Sequence, residues 1–162
     1  MATLNIPSKR HEGGQAIVEL ALTLPLLLVI VMGIFDFGVM FQRYELVTNA
    51  AREGARVGVL TGSGYSTNDA VARALQYLNV GGLNVTTRGS CGGALTPGTR
   101  CASVTQSTVT ITGSSPAKTV SQVTVVVEYD HAYALIGPMM NLFGSSSLGT
   151  VRLRAVSSMR VE

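Results

Sequence analysis

The sequence predicts an α+β protein: a long N-terminal helix, apolar through its first half, lying on a small antiparallel β-sheet, with a second short helix between them. Three observations carry this. The run LALTLPLLLVIVMGIF from Leu20 to Phe35 is uninterrupted by charge. Val47, Ala51, Ala55 and Val59 recur every four residues and extend the helix to about Leu60. After Gly81-Gly82 the apolar period changes to two.

Residues 1–14 form a polar leader with Pro7 and a Gly13-Gly14 pair but no periodicity, so no element is assigned there. The long helix is expected over 15–60, with a membrane-spanning part at about 16–41. At 1.5 Å rise per residue this stretch is long enough for a hydrocarbon core of about 30 Å. Glu19 and Asp36 stand near its two ends, away from mid-membrane where a charge costs most. Lys9 and Arg10 flank the span and are expected to stay cytoplasmic, which places the C-terminal part outside. An ordinary cleaved secretory signal fits less well, because the apolar run is long and Asp36-Phe37-Gly38 is a poor small-residue cleavage site. Pro25 removes a backbone donor to the Ala21 carbonyl and is expected to bend or loosen the span. Asp36 is read as marking the outer edge of the bilayer. Pairing with Arg43, or with an arginine of another subunit, is the alternative.

Beyond the span, Val47, Ala51, Ala55 and Val59 make one helix face and Arg52, Glu53 and Arg56 the wet one. Ala50, Gly54 and Gly58, beside Ala51 and Ala55, leave a strip of nearly bare backbone that admits a close neighbour. That neighbour is either the chain's own outer domain, 61–162, or a helix of another subunit.

Thr61-Gly62-Ser63-Gly64 reads as a turn, and Ser66 or Thr67 as the cap of a second helix over Asn68 to Leu78. Its apolar face is Val71, Leu75 and Leu78, its polar face Arg73 and Gln76, and Gly81-Gly82 stops it. Strands follow near Val85, over Val104 to Thr112, over Gln122 to Tyr129 with Val123, Val125 and Val127 on one side, and over Val151 to Val161 with Leu153, Ala155 and Ser157 on one side. Between the last two, Ala134 to Gly144 is apolar and methionine-containing. It reads either as a core-covering loop or short helix, or as a face toward lipid or a partner. Cys91 and Cys101 lie in a Gly-, Ser- and Thr-rich loop, and in an exported domain the default is a disulfide. A metal site is disfavoured there, since no His, Asp or Glu is near them in the chain.

At 162 residues there is room for one domain beyond the anchor, and an apolar fraction of 46% against 13% charged fits an anchored protein. A net charge of +3 without a basic run interleaved with aromatics argues against nucleic acid, leaving acidic lipid headgroups near Lys9 and Arg10 as the electrostatic partner. No cofactor is expected and no enzyme activity: the two histidines are His11 and His131, no nucleophile elbow surrounds any serine, and Gly62-Ser63-Gly64 lacks the lysine of a phosphate loop. His131 is read as a surface residue at a strand end.

Gly14, then Gln15, then Glu19 at the fifth position of a new chain, then an apolar helix resembles the processing site of type IV pilin-like proteins. More closely, GQAIVELALTLPLLLVIVMGIFDFG followed by NAAREGAR is similar to the TadE/TadG-like pseudopilins of tight-adherence (Tad) pilus systems, over roughly Gly14 to Arg56. The resemblance implies a pilin-like fold and cleavage after Gly14 by a prepilin peptidase at the cytoplasmic face, leaving Gln15 first. It also implies a role in pilus assembly or in the fibre, with other pilins, an inner-membrane assembly platform and the bilayer as partners. Location would be the inner membrane, single-pass, N-terminus inside, or extracellular within a pilus. Glu19 would offer its carboxylate to a free α-amine, its own or a neighbour's, in a low-dielectric setting; otherwise it is an interfacial acid reaching water. The rival to a processed pseudopilin is a permanently anchored, unprocessed exported binding module.

Overall fold

The computed structural model describes residues 12–60, 66–111, 118–138 and 149–161. The first eleven residues of the leader, with Lys9, Arg10 and His11, the turn expected at Thr61 to Gly64, Thr112 and the Met139 to Gly144 part of the apolar segment lie outside them; the leader's last three residues, Glu12 to Gly14, are helical and begin the long helix earlier than expected.

Helix α1 (Glu12–Gly58) is a single element of 47 residues that runs through Pro25 unbroken. The Thr23 hydroxyl, two residues before the proline, donates to the Glu19 carbonyl at 2.9 Å. Helix α2 (Thr67–Val80) starts at Ser66 with a complete capping box. The Asp69 carboxylate accepts from the Ser66 N–H at 2.6 Å while the Ser66 hydroxyl accepts from the Asp69 N–H. These bonds to Ser66 hold Asp69 below the usual carboxylate range. Gly81 closes the helix, its N–H reaching the Tyr77 carbonyl while that of Gly82 reaches Asn79.

Strands β1 (Thr86–Thr87), β2 (Thr99–Ile111), β3 (Lys118–Ala132) and β4 (Thr150–Arg160) form one sheet in the order β1-β2-β3-β4. It is antiparallel, as expected, except where the two-residue β1 runs parallel to the start of β2. Both β2 and β3 are longer than the alternation alone suggested. Cys101 consequently lies within β2, and only Cys91 is in the loop.

The core lies between the helices and one face of the sheet: Val47, Ala50, Ala51 and Ala55 from α1, Ala74 and Leu78 from α2, Val123, Val125, Val127 and Tyr129 from β3, Leu153 and Ala155 from β4. Register explains the set. Val125 pairs with Val104 and Ser157, and Val127 with Ala102 and Ala155, so one parity of each strand faces α1. The buried side of α2 is Ala70, Ala74 and Leu78, a turn of the face from the expected Val71, Leu75 and Leu78. The reason is the strip on α1. A methyl on Gly54 would sit 3.0 Å from the Ala74 Cβ and 3.1 Å from the Ala70 carbonyl, so only small residues fit on both sides. The strip formed by Ala50, Gly54 and Gly58 is therefore filled by the chain's own α2 and β3.

Candidate functional site

The chain divides α1 into a bare half and a clad half. From Gly14 to Phe35 nearly every side chain is exposed, with Leu22 at 74% and Ile34 at 69%. This helix is long and apolar enough to cross a membrane, and none of its most apolar window is buried, unlike the core helix of a soluble domain. Gly14 and Gln15 lie within the helix on open surface, and a methyl on Gly14 would meet nothing within 4 Å. Glu19 is also exposed, its backbone carbonyl occupied by Thr23. The candidate processing residues are thus helical, accessible and unencumbered by the outer domain.

At Asp36 the cladding begins, and the structure gives this residue a different place from either reading of the sequence. Only 2% exposed, its carboxylate accepts from three consecutive backbone N–H groups, those of Ala134 (3.3 Å), Leu135 (3.0 Å) and Ile136 (2.7 Å). It clamps the segment after β3 onto α1. Three otherwise orphaned donors explain why a carboxylate is needed there. Above it the edge of the Phe37 ring meets Tyr133, with centroids 6.2 Å apart, and the Tyr133 hydroxyl donates to the Met40 sulfur at 3.4 Å. The described beginning of the apolar segment is accordingly a cover over α1.

Among the described residues Arg43 pairs with neither Asp36 nor another acid. Its Nη1 donates to the Tyr129 hydroxyl and to Nδ1 of His131, each at 2.9 Å, and its guanidinium stands 5.6 Å from the Tyr129 ring centre. His131, expected at the surface, is 2% exposed. The alternation that buries Val123, Val125 and Val127 continues through Tyr129 to His131, so the strand points this imidazole at α1. Since arginine only donates, Nδ1 is the acceptor and Nε2 carries the proton. Burial, then the Arg43 charge, push the imidazole pKa down against an opposing pull from Asp36.

The opposite face of the sheet carries a group that the sequence reading missed. Glu128 and Asp130 are 3% and 0% exposed. Arg152 grips Asp130 through two nitrogens at 2.7 and 3.1 Å. Arg88 lies 3.4 Å from both carboxylates, and Arg154 3.5 Å from Glu128. Backbone N–H groups of Gly92 and Thr96 complete the set at 2.8 and 2.9 Å. Burial disfavours the charged form of Asp130. Bonds from Arg152 and Thr96 and the charges of Arg88 and Arg152 overcome it and hold the carboxyl below its usual range. The signal was present in the chain: acids at 128 and 130 and arginines at 152 and 154 share one parity, and register sets Glu128 opposite Arg154 and Asp130 opposite Arg152.

The loop over this network is pinned by the Cys91–Cys101 disulfide. Glu128 comes within 3.6 Å of the Cys101 sulfur, so an acid does stand beside the cysteines in space, contrary to the reading of the chain. Both sulfurs are engaged in the disulfide and the carboxylate by arginines, and the arrangement is a covalent and ionic pin for the loop. In the chain-entropy picture a disulfide closing so short a loop contributes on the order of 2–3 kcal/mol.

A long apolar helix, half bare and half laid on an α+β domain, is the architecture of a pilin-like protein. Residues 14–56 match the family model described as TadE-like protein. That segment is the one that carries the resemblance seen in the sequence, and it spans both the bare and the clad half of α1. No curated protein and no solved structure matches this chain.

Proposed function

We propose that the protein is a minor pseudopilin of a Tad-type pilus or secretion apparatus. It is inserted in the inner membrane with the leader inside and the α+β domain outside, cut after Gly14 by a prepilin peptidase, and used in pilus assembly or as a fibre component. It acts as a structural subunit and not as an enzyme. The observation that carries the reading is the bare half of α1 within the matched segment: residues 14–35 are helical and predominantly apolar, and among the described residues the chain's own domain reaches them only at the outer end, where Ile136 stands by Gly33. Such a surface needs lipid before assembly and other apolar helices after it. The position of Gly14 supports cleavage there, because a residue without a side chain on an open helix offers least obstruction to a protease cleft. Glu19, five residues into the cut chain, would pair with a freed α-amine, and stranding either charge in an apolar setting is costly.

The test is the intact mass and N-terminal sequence of the protein from native membranes, beside a Gly14→Ala variant. The expected wild-type chain begins at Gln15 while the variant keeps its leader. A wild-type chain that retains residues 1–14 overturns the processed subunit and favours a permanently anchored binding module.

A further inference from the structure

The sheet ends on an open edge. β4 pairs with β3 on one side, and no strand lies on its other side among the described residues. The backbone bonds at its two ends show which groups are left over. The Gly149 carbonyl accepts from Tyr133 at 3.0 Å, and the Val161 N–H donates to Ser121 at 2.8 Å. The close pairs therefore fall on the odd-numbered residues of β4, and the N–H and C=O groups of Arg152, Arg154, Val156, Ser158 and Arg160 point away from β3. A free edge is usually blunted by brevity, proline or a bulge. β4 has 11 residues, no proline, and an unbroken register from Thr150 to Arg160.

The side chains of those same even-numbered residues stand on the sheet face away from α1, and they select what the edge can take. The Arg154 side chain is 58% exposed and Val156 54%. Arg160 is exposed and has no side-chain partner among the described residues. In the buried network two acids, Glu128 and Asp130, face three arginines, which leaves positive charge in excess beside this edge. The free edge of β2 beyond Arg100 carries no charged residue, so charge selectivity belongs to β4.

A second copy does not fit. β3 runs back along α1, from Val123 at Gly58 through His131 at Arg43 to the Asp36 clamp, so β2 and β4 both run away from the membrane. Copies anchored in one bilayer can thus offer β4 only parallel edges. An inverted copy centred on Val156 would set Arg152 against Arg160 twice.

We infer that β4 accepts an added strand from a different protein. The incoming segment is extended and antiparallel to β4, with two acidic side chains six residues apart opposite Arg160 and Arg154 and an apolar one between them opposite Val156. Main-chain bonds give the affinity and the alternate side chains the selectivity. The inference goes beyond the subunit reading and rests on it only for the anchored orientation that excludes a copy.

The probe is the peptide acetyl-Thr-Glu-Thr-Ser-Thr-Val-Thr-Glu-Thr-amide, with lysine replacing both glutamates in the control, added to the full chain in detergent. Amide exchange at Arg154, Val156 and Ser158 is expected to slow about tenfold with the glutamate peptide and not with the lysine one, while Ala155 and Ser157 stay as they were. Arg160→Glu should weaken the glutamate peptide about fivefold. Val156→Pro removes an outward N–H that the β3 ladder does not use, and should abolish the protection. In the native host both variants should lower the number of surface pili. No protection, equal protection by both peptides, or normal pili in both variants overturns the inference. So does protection without peptide, whether it grows with protein concentration, as for a second copy, or does not, as for a segment of this chain. If Val156→Pro disturbs the β3 ladder, Arg160→Glu, which alters no backbone group, decides alone. Leader removal is read in the same cells: a cut chain with an unprotected edge defeats strand addition alone, and an uncut chain with a protected edge defeats processing alone.

Discussion

The two halves of α1 are one uninterrupted helix in two different surroundings, and they differ in side-chain size more than in polarity at the contact. Between Leu20 and Phe35 the helix shows Leu, Ile, Val and Phe on every side, exposed. From Val47 to Gly58 the contacting side shrinks to Val, Ala and Gly and is fully buried. A helix that meets a fixed sheet and a second helix must let their backbones approach, and small residues permit this. One that meets fluid lipid, or a changing set of neighbours, has no such limit and gains by presenting large apolar side chains. Asp36 stands where one regime gives way to the other, the buried carboxylate that fastens domain to helix.

The sharpest way to break the contrast is to put the same kind of residue in both halves. A Cβ on Gly58 would lie 2.6 Å from the Val123 Cγ1, closer than two carbons approach, and Val123 is itself fully buried. Gly58→Ala is therefore expected to destabilise the outer domain by about 2 kcal/mol, through overpacking. Gly33→Ala, whose methyl would make only an ordinary 3.8 Å contact with Ile136, should instead stabilise the helix by about 0.5–1 kcal/mol. Urea unfolding of the full chain in detergent, followed by circular dichroism of the sheet, separates the two. Equal effects would mean that the clad half is not tightly packed.

The boundary itself is probed at Asp36. Asp36→Ala leaves three backbone donors without their acceptor and is expected to cost the 134–136 clamp about 2 kcal/mol, with Asp36→Asn, which keeps one acceptor oxygen, near half that. Amide hydrogen exchange reports this directly: the N–H groups of Ala134, Leu135 and Ile136 should exchange roughly 30-fold faster in the alanine variant. Unchanged rates would show that the carboxylate is not what fastens domain to helix.

What could be read from the chain divides along physical lines. Local patterns were legible: the apolar run, the four-residue recurrence of Val47, Ala51 and Ala55, the Ser66 cap, and the alternation of Val123, Val125 and Val127. Each depends on neighbours a few residues away. Asp36 was not legible, because its partners lie 98 to 100 residues on and are backbone groups that carry no side-chain signature. His131 was misplaced for a different reason. Its polarity outweighed a parity already established by four preceding strand residues; Arg43 satisfies Nδ1 in the core, while the buried Nε2 has no partner among the described residues. The Glu128 and Asp130 network required the β3–β4 register before Arg152 and Arg154 could be set against it. The strip of Ala50, Gly54 and Gly58 announced a close neighbour without naming it, since a bare backbone fits a sheet, a second helix or another subunit equally; Ala70, Ala74 and Val125 decide it.

Gly38 brings the contrast to a single position. It lies on the clad half of α1 but on the side away from the domain, where an added methyl meets nothing. Within one isolated copy, Gly38→Ala removes the entropic cost of glycine in a helix and exposes no conflict, so it should stabilise the helix locally by about 0.5–1 kcal/mol. In detergent-dispersed monomer the amides around Gly38 should then exchange about two- to fivefold more slowly. Faster exchange would mean that the glycine already serves the fold of the single chain, as Gly54 and Gly58 do, and would place the whole clad half under one packing rule. Slower exchange leaves glycine at 38 as a cost to the monomer, and the reason for it outside the single chain.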